Sequence, residues 1–434
     1  MEQPRSDRGA ALERAPPPRR FWQLLGPGLI TGASDDDPSG IGTYSQVGAQ
    51  FGFGMLWTML FSFPLMVCVQ LVCAQIGCVT GRGISANLRR YFHKSILFPI
   101  VGLLLLANTI NIAADLGAMG SALQLLIGGP ALLYTVGFAA VSLVLQILVP
   151  YSRYVSVLKW LCMALFAYVA TVFTLHIPWR QVALQTLVPH VSFKSEYVTA
   201  VVAILGTTIS PYLFFWQASQ EVEDQEAAAD QQPLIQAPAQ AISQLSRIRM
   251  DTYIGMGMSN LVAFFIILTT AVTLHAHGMT NIATASQAAT ALRPIAGRFA
   301  FALFSLGIIG TGMLAVPVLA GSAAYGVAEA MRWKFGMERK FGEATKFYTV
   351  IGAATLIGLL INFARIDPIQ ALFWTAVING VVAVPLIAVI MVMATRKAVM
   401  RQFAIVGVLR WGGWLTAAVM TSSAVAMFAL WPQK

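Results

Sequence analysis

Eleven long apolar runs leave little of this 434-residue chain for anything but crossing a membrane; they lie near residues 22–47, 54–79, 96–127, 130–150, 154–177, 197–222, 251–275, 299–330, 347–363, 368–394 and 411–431. A run of about 20 apolar residues spans the hydrocarbon core as a helix. Lipid admits only backbone whose polar groups are satisfied internally, which for single runs of this kind means α-helix. Only 11% of the residues are charged and 57% are hydrophobic, whereas a soluble domain carries about a quarter charged. The chain therefore reads as an all-α membrane protein of eleven transmembrane helices, with the lipid bilayer as its first partner.

An odd number of spans puts the termini on opposite sides. Of the 28 lysines and arginines, 22 fall on the side of the N-terminus and 6 on the other, and such an excess marks the cytoplasm. The N-terminus is thus expected inside and the C-terminus outside. The same asymmetry accounts for the net charge of +10, so no nucleic-acid partner is implied. Residues 1–21, rich in proline and arginine and without a secretory core, read as a disordered cytoplasmic tail. Cys68, Cys73, Cys78 and Cys162 all lie in apolar runs. The first three are spaced about 140° apart around a helix, so they share no face and read as buried thiols rather than metal ligands.

Two spans carry helix breakers: "DDDPSGIG" (35–42) in the first and "GTTISPYL" (206–213) in the sixth. Being five spans apart, they occupy matching places in two oppositely oriented halves, residues 22–177 and 197–394, with residues 395–434 supplying one appended helix. Broken helices at matching positions of inverted repeats point to the midplane site of a transporter, where free carbonyls and helix ends ligate ions. An intramembrane acid is functional by default, which singles out Asp37. Asp35 and Asp36 have two readings, as caps of the half-helix after the break or as added charge at the site. Asn108, Asn111 and Asp115 share one face of the third span, either bonding between helices or lining a hydrated path. The run "QEVEDQE" (220–226) reads as a solvated helix end and 227–243 as a flexible loop. No HExxH, GxSxG or phosphate-binding glycine loop occurs, so neither enzyme chemistry nor a cofactor is expected, and no obligate protein partner is evident.

The segments "GPGLITGASDDDPSGIGTYSQVGAQFGFGMLW" (26–57), "QLVCAQIGCVTGRG" (70–83), "NIAADLGAMGSALQLLIGGP" (111–130) and, more weakly, "SPYLFFWQAS" (210–219) resemble the Nramp (SLC11) family of divalent-metal transporters. The resemblance implies a LeuT-like fold, spans 1–5 and 6–10 being inverted repeats around a central metal site. In the family the first break is Asp-Pro-Gly-Asn, with Asp and Asn as ligands; here it is Asp37-Pro38-Ser39-Gly40, so Gly40 stands where the Asn would be. The family's Ala carbonyl and Met thioether in span 6 correspond to Thr207 and Ser210, followed by Pro211 and Tyr212. A thioether favours softer transition metals, whereas carboxylate, carbonyl and hydroxyl suit Mg²⁺, Ca²⁺ and Mn²⁺. Mg²⁺ also keeps several waters, for which Gly40 and Ser210 are expected to leave room. The pattern is similar to that of the Nramp-related magnesium transporters, and the expected cargo is Mg²⁺, with Mn²⁺ also accepted.

Coupling is read from the same resemblance. Asp115 keeps the first acidic position of span 3, but Ala118 replaces the family's Glu, and Tyr212 and Gln217 stand at its two histidine positions. The five histidines, His93, His176, His190, His275 and His277, fall at or beyond the span ends. A proton relay needs titratable groups in series, so weak or no proton coupling is expected. Asn379 in span 10 lies near a position where the family places a polar residue close to the metal, and reads either as part of that surround or as a packing residue. Two alternatives stand: a proton-coupled Mn²⁺/Fe²⁺ importer, and a sodium-coupled carrier of organic solutes, whose carboxylate substrate the three aspartates would repel. The family's bacterial members imply a bacterial inner membrane.

Overall fold

The computed structural model describes residues 27–151, 153, 163–228, 230–364 and 367–431. The expected tail (1–21) and Cys162 lie outside the described residues. The principal helices are α1 (Pro27–Asp35), α2 (Pro38–Phe51), α3 (Trp57–Thr80), α4 (Ile84–Tyr91), α5 (Lys94–Ile127), α6 (Ala131–Leu148), α7 (Phe166–Val172) and α8 (Trp179–Leu187). They continue with α9 (Ser195–Thr208), α10 (Pro211–Ala227), α11 (Ala241–Thr273), α12 (Ala300–Met331), α13 (Thr345–Ile361), α14 (Pro368–Thr395) and α15 (Gly407–Ala429).

Among the described residues, nine helical stretches are long and apolar enough to cross a bilayer, α9 and α10 together forming one of them. The first expected span is the pair α1 and α2, each too short alone. Of the fifth, 154–177, the described apolar helix is Met163–Val172.

Both breaks put a proline at the start of the second half-helix, but only the first has a side-chain cap. α1 ends at Asp35 and α2 starts with Pro38 behind the N-cap Asp37. α9 ends at Thr208 and α10 starts with Pro211 behind the N-cap Ser210. Proline has no N–H to contribute, so it cannot continue the preceding helix, but it suits the first position of a new one. Two prolines thus fix where the two crossing helices open.

Small residues bring the helices close around these breaks. Gly206 on α9 abuts the Ala376 carbonyl and Gly380 of α14, and Gly32 on α1 abuts the Gly255 backbone of α11. Any side chain at either would drive into main chain, and such small-residue contacts are the usual means of close helix packing in lipid. α5 lies against α12 and α14, and α10 against α3 and α12, so the third and sixth spans run through the interior.

Two expectations at the cytoplasmic-charge end are corrected. The described residues of the stretch 227–243 form a packed connection rather than a flexible loop. Leu234 is buried, and the Leu234 and Ile235 amides donate to the Cys78 and Val79 carbonyls that end α3. α11 then begins at Ala241, ahead of the expected 251. The run 220–226 is not simply solvated either: Glu221 and Gln225 are buried. Of the cysteines, Cys73 and Cys78 are buried and Cys68 is half-buried.

Candidate metal site

Asp37 is the organising residue. Its Oδ1 accepts from the Gly40 amide and the Ser39 hydroxyl, both at 2.8 Å. This is an N-cap, in which a side-chain oxygen satisfies an otherwise free amide of the first helical turn. Its Oδ2 faces the other way, accepting from Asn111 Nδ2 of α5 at 3.1 Å and lying 3.4 Å from the Tyr212 hydroxyl of α10. Tyr212 donates to the Ser34 carbonyl, 2.7 Å away, at the end of α1. One carboxylate therefore gathers the first break, the third span and the sixth.

The cap being Asp37, the reading of Asp35 or Asp36 as cap is corrected. Asp35 is the last residue of α1, where the carbonyl end of the dipole disfavours a negative charge. The two carboxylates instead converge on one hydroxyl: Ser259 Oγ of α11 lies 2.6 Å from Asp35 Oδ2 and 3.1 Å from Asp36 Oδ1. Asp35 Oδ1 has no hydrogen-bond partner. Asp115 on α5 stands beside the Ser39 amide and Asp37, yet neither of its carboxylate oxygens completes a hydrogen bond. Asp37 and Asp115 are 2% and 0% exposed.

Four carboxylates thus sit in the interior with no cationic side chain among the described residues beside them. The ion pairs Arg247–Glu221 and Arg339–Glu226 do not touch this group. Nor do three His, Cys, Asp or Glu side chains converge into a ready-made cage among the described residues. The groups bonded to these carboxylates are hydroxyls, an amide and backbone; none is sulfur.

At span 6, Ser210 turns its hydroxyl back onto the Gly206 and Thr207 carbonyls at 3.0 and 2.7 Å. The room expected at Gly40 is not there: a Cβ would stand 3.1 Å from Thr207 Oγ1 and 3.3 Å from the Asp35 carbonyl oxygen. The space of a side chain has been filled by the approach of α9. Asn108 lies away from this group, donating to the Leu319 carbonyl of α12 at 2.9 Å. Asn379 is buried with its Nδ2 unpartnered. Gln217 accepts from Thr31 of α1 at 2.6 Å and donates to Glu221 at 3.2 Å, so it links α1 to the far end of α10.

The pattern described as natural resistance-associated macrophage protein-like, Nramp, matches residues 28–430. The chain belongs to the Nramp family. It is an integral membrane protein, as the apolar helices also require. Among its Nramp relatives, the divalent metal cation transporter MntH of Aeromonas hydrophila is 27% identical over 311 residues, 70% of this chain and 72% of that one. MntH of Erwinia tasmaniensis is 25% identical over 301 residues, 67% and 68% of the two chains. Its relatives are named as metal transporters, not enzymes.

Among solved structures, the manganese transporter of Eremococcus coleocola superposes with a TM-score of 0.76 at 17% identity, covering 96% of this chain and 89% of that one. Mhp1, a nucleobase-cation-symport-1 transporter in a closed conformation, gives 0.59 at 16% identity over 94% and 90% of the chains. The fold is LeuT-like, with the first and sixth spans broken, between α1 and α2 and between α9 and α10.

Ser259 was not singled out from the sequence, although the pair Ser259-Asn260 is a polar interruption of an apolar span. The Ser34 carbonyl carries no sequence signal at all, because any residue supplies one.

Proposed function

We propose that this Nramp protein moves divalent metal ions across a membrane by alternating access, and that Mg²⁺ is its principal cargo, with Mn²⁺ also accepted. The observation that carries the reading is the group of buried carboxylates, Asp35, Asp36, Asp37 and Asp115, without a cationic side chain among the described residues. Burying an unpaired charge is costly, and a doubly charged ion entering the break offsets that cost. Asp37 is the principal ligand, with Asp36 beside it. The backbone at Gly40 and Thr207, together with the Ser210 and Tyr212 oxygens, supplies direct or water-mediated contacts. Asn111 and Asp115 line the ion path, with Asn108, Gln217 and Asn379 further along it.

The oxygen-rich surroundings and the absence of the family's thioether support the harder cation. Ala118 and Gln217 in place of titratable residues support weak or no proton coupling. The moving units are the halves 22–177 and 197–394, and the membrane is a bacterial inner membrane with the N-terminus cytoplasmic. The names of the relatives favour a second reading, a proton-coupled Mn²⁺ importer.

Proteoliposomes loaded with a Mg²⁺-sensitive dye, run beside a pH dye, separate the two. Mg²⁺ entry without acidification supports the proposal. Mn²⁺ entry with protons, and no movement of or competition by Mg²⁺, establishes the second reading instead.

A further inference from the structure

At the end of the bundle that the charge asymmetry assigns to the cytoplasm, a cavity of roughly 520 Å³ opens between three elements. Arg82, Arg89 and Arg90 line it from the α3–α4 turn and α4, Glu226 from the end of α10, and Arg332 and Phe335 from the segment after α12. None of the four guanidiniums is in an ion pair among the described residues. Glu226 leans instead toward Arg339 at 3.7 Å. The nearby Glu329 carboxylate is already engaged by the Ala86 amide at 3.0 Å and the Ser219 hydroxyl at 2.9 Å. Arg89 reaches only the Glu329 main-chain oxygen, at 2.7 Å.

Burial, followed by the charge of Arg332, holds the Arg89 guanidinium below its usual range; Glu329 works against them and Arg82 with them. Arg332 sits at φ +60°, a conformation that favours glycine, so the backbone there is suited to a smaller residue than the one present. Four arginines around a cavity of ligand size, none in an ion pair among the described residues although Arg90 lies over the Tyr91 ring, describe a receptor for an anion, and guanidinium groups match phosphate in planar, paired contacts.

We propose that this cavity binds a phosphate-bearing anion, which ties α4 to the inner ends of α10 and α12. A soluble phosphate compound and the headgroup of an anionic phospholipid present the same chemistry, the latter because basic pockets at the cytoplasmic ends of spans favour such headgroups. This site is separate from the break at Asp37 and stands or falls independently of the cargo.

The test uses the purified full-length protein in neutral detergent at low ionic strength, with thermal stabilisation titrated by inorganic pyrophosphate and, separately, by cardiolipin. Three forms are compared: wild type, Arg82→Gln/Arg332→Gly, and the control Lys397→Gln/Arg410→Gln at exposed positions elsewhere. Glycine suits the backbone at 332, so that variant is expected to fold, as its unliganded melting temperature will report. Saturable stabilisation by either probe, weakened about tenfold or more in the pocket variant and unchanged in the control, supports the site, and the responding probe identifies its source. Stabilisation by neither probe, or equal weakening in both variants, overturns it.

Discussion

Asp37 does two jobs that substitution can separate. Asparagine caps a helix about as well as aspartate, whereas alanine costs about 1 kcal/mol at such a position. Asp37→Asn is therefore expected to keep the melting temperature near wild type while removing the charge that faces Asn111 and Tyr212. Divalent flux into proteoliposomes should fall to background in both variants, with lost stability only in Asp37→Ala. Retained flux in Asp37→Asn would mean that the ion rests elsewhere. Gly40 gives a second residue-scale prediction. Restoring the family's ligand as Gly40→Asn places a Cβ 3.1 Å from Thr207 Oγ1 and 3.3 Å from Tyr44 Cε2. Overpacking of this kind typically costs 1–3 kcal/mol, taken here as about 2. A melting point that drops, and recovers in part with Thr207→Ala, is the expected result; an unchanged one would show that this break relaxes easily. The aspartates and the proline were legible in the sequence because charge and a missing N–H stand out in an apolar run. The closure at Gly40 was not, because it depends on how near α9 comes, which no local pattern encodes.

At the scale of elements, the breaks were legible and the seams between helices were less so. Pro38 and Pro211 are first-turn signals that act locally, and the two half-helix pairs form where they stand, although only Asp37, and not Ser210, caps its helix with the side chain. The run 220–226 shows the opposite case, since its charge suggested solvation. Glu221 is instead buried and ion-paired with Arg247 of α11, which also faces Asp224 and Asp251. Only the fold brings those two side chains together across 26 positions of chain. Removing one member of a buried pair leaves an uncompensated charge and costs about 3–5 kcal/mol, whereas replacing both is far milder. Arg247→Met should therefore destabilise more than Glu221→Gln, because it strands several acids. The double variant should regain part of the Arg247→Met loss, as read by thermal melting in a double-mutant cycle. Strict additivity would show that the pair contributes nothing. The seam between α9 and α14 makes a harsher prediction. Gly206→Ala would push its methyl into the Ala376 carbonyl and Gly380, main-chain atoms that no rotamer change can move aside. Loss of monodisperse protein on size-exclusion chromatography is expected, while Gly102→Ala, where a Cβ meets nothing, should leave the elution profile intact.

For the whole molecule the question is what drives the ion. The candidate site is closed from solvent, with Asp36, Asp37, Ser210 and Tyr212 all buried, so an ion reaches the break only when the structure opens. A proton-coupled cycle would also need a path for protons beside the ion. From the break toward the C-terminal end of α10, the connection runs from Thr31 through Gln217 to Glu221, and a glutamine amide does not take up and release a proton in this range. On α5 the position after Asp115 on the same face is Ala118, which is buried and apolar. On the proposed reading without proton coupling, the membrane potential is the driving force. It is worth about 2.3 kcal/mol per charge at 100 mV, hence about 4.6 kcal/mol for a divalent ion. That corresponds to a little over three orders of magnitude in equilibrium accumulation. Mg²⁺ uptake in proteoliposomes carrying a potassium diffusion potential, inside negative, is therefore expected to rise steeply with the imposed voltage. The lumenal pH should stay flat, and a pH gradient imposed at zero voltage should move no Mg²⁺. Uptake that follows the pH gradient and ignores the voltage would require a proton carrier at the break, and Asp115, with both carboxylate oxygens unpartnered, would be the first group to replace by Asn.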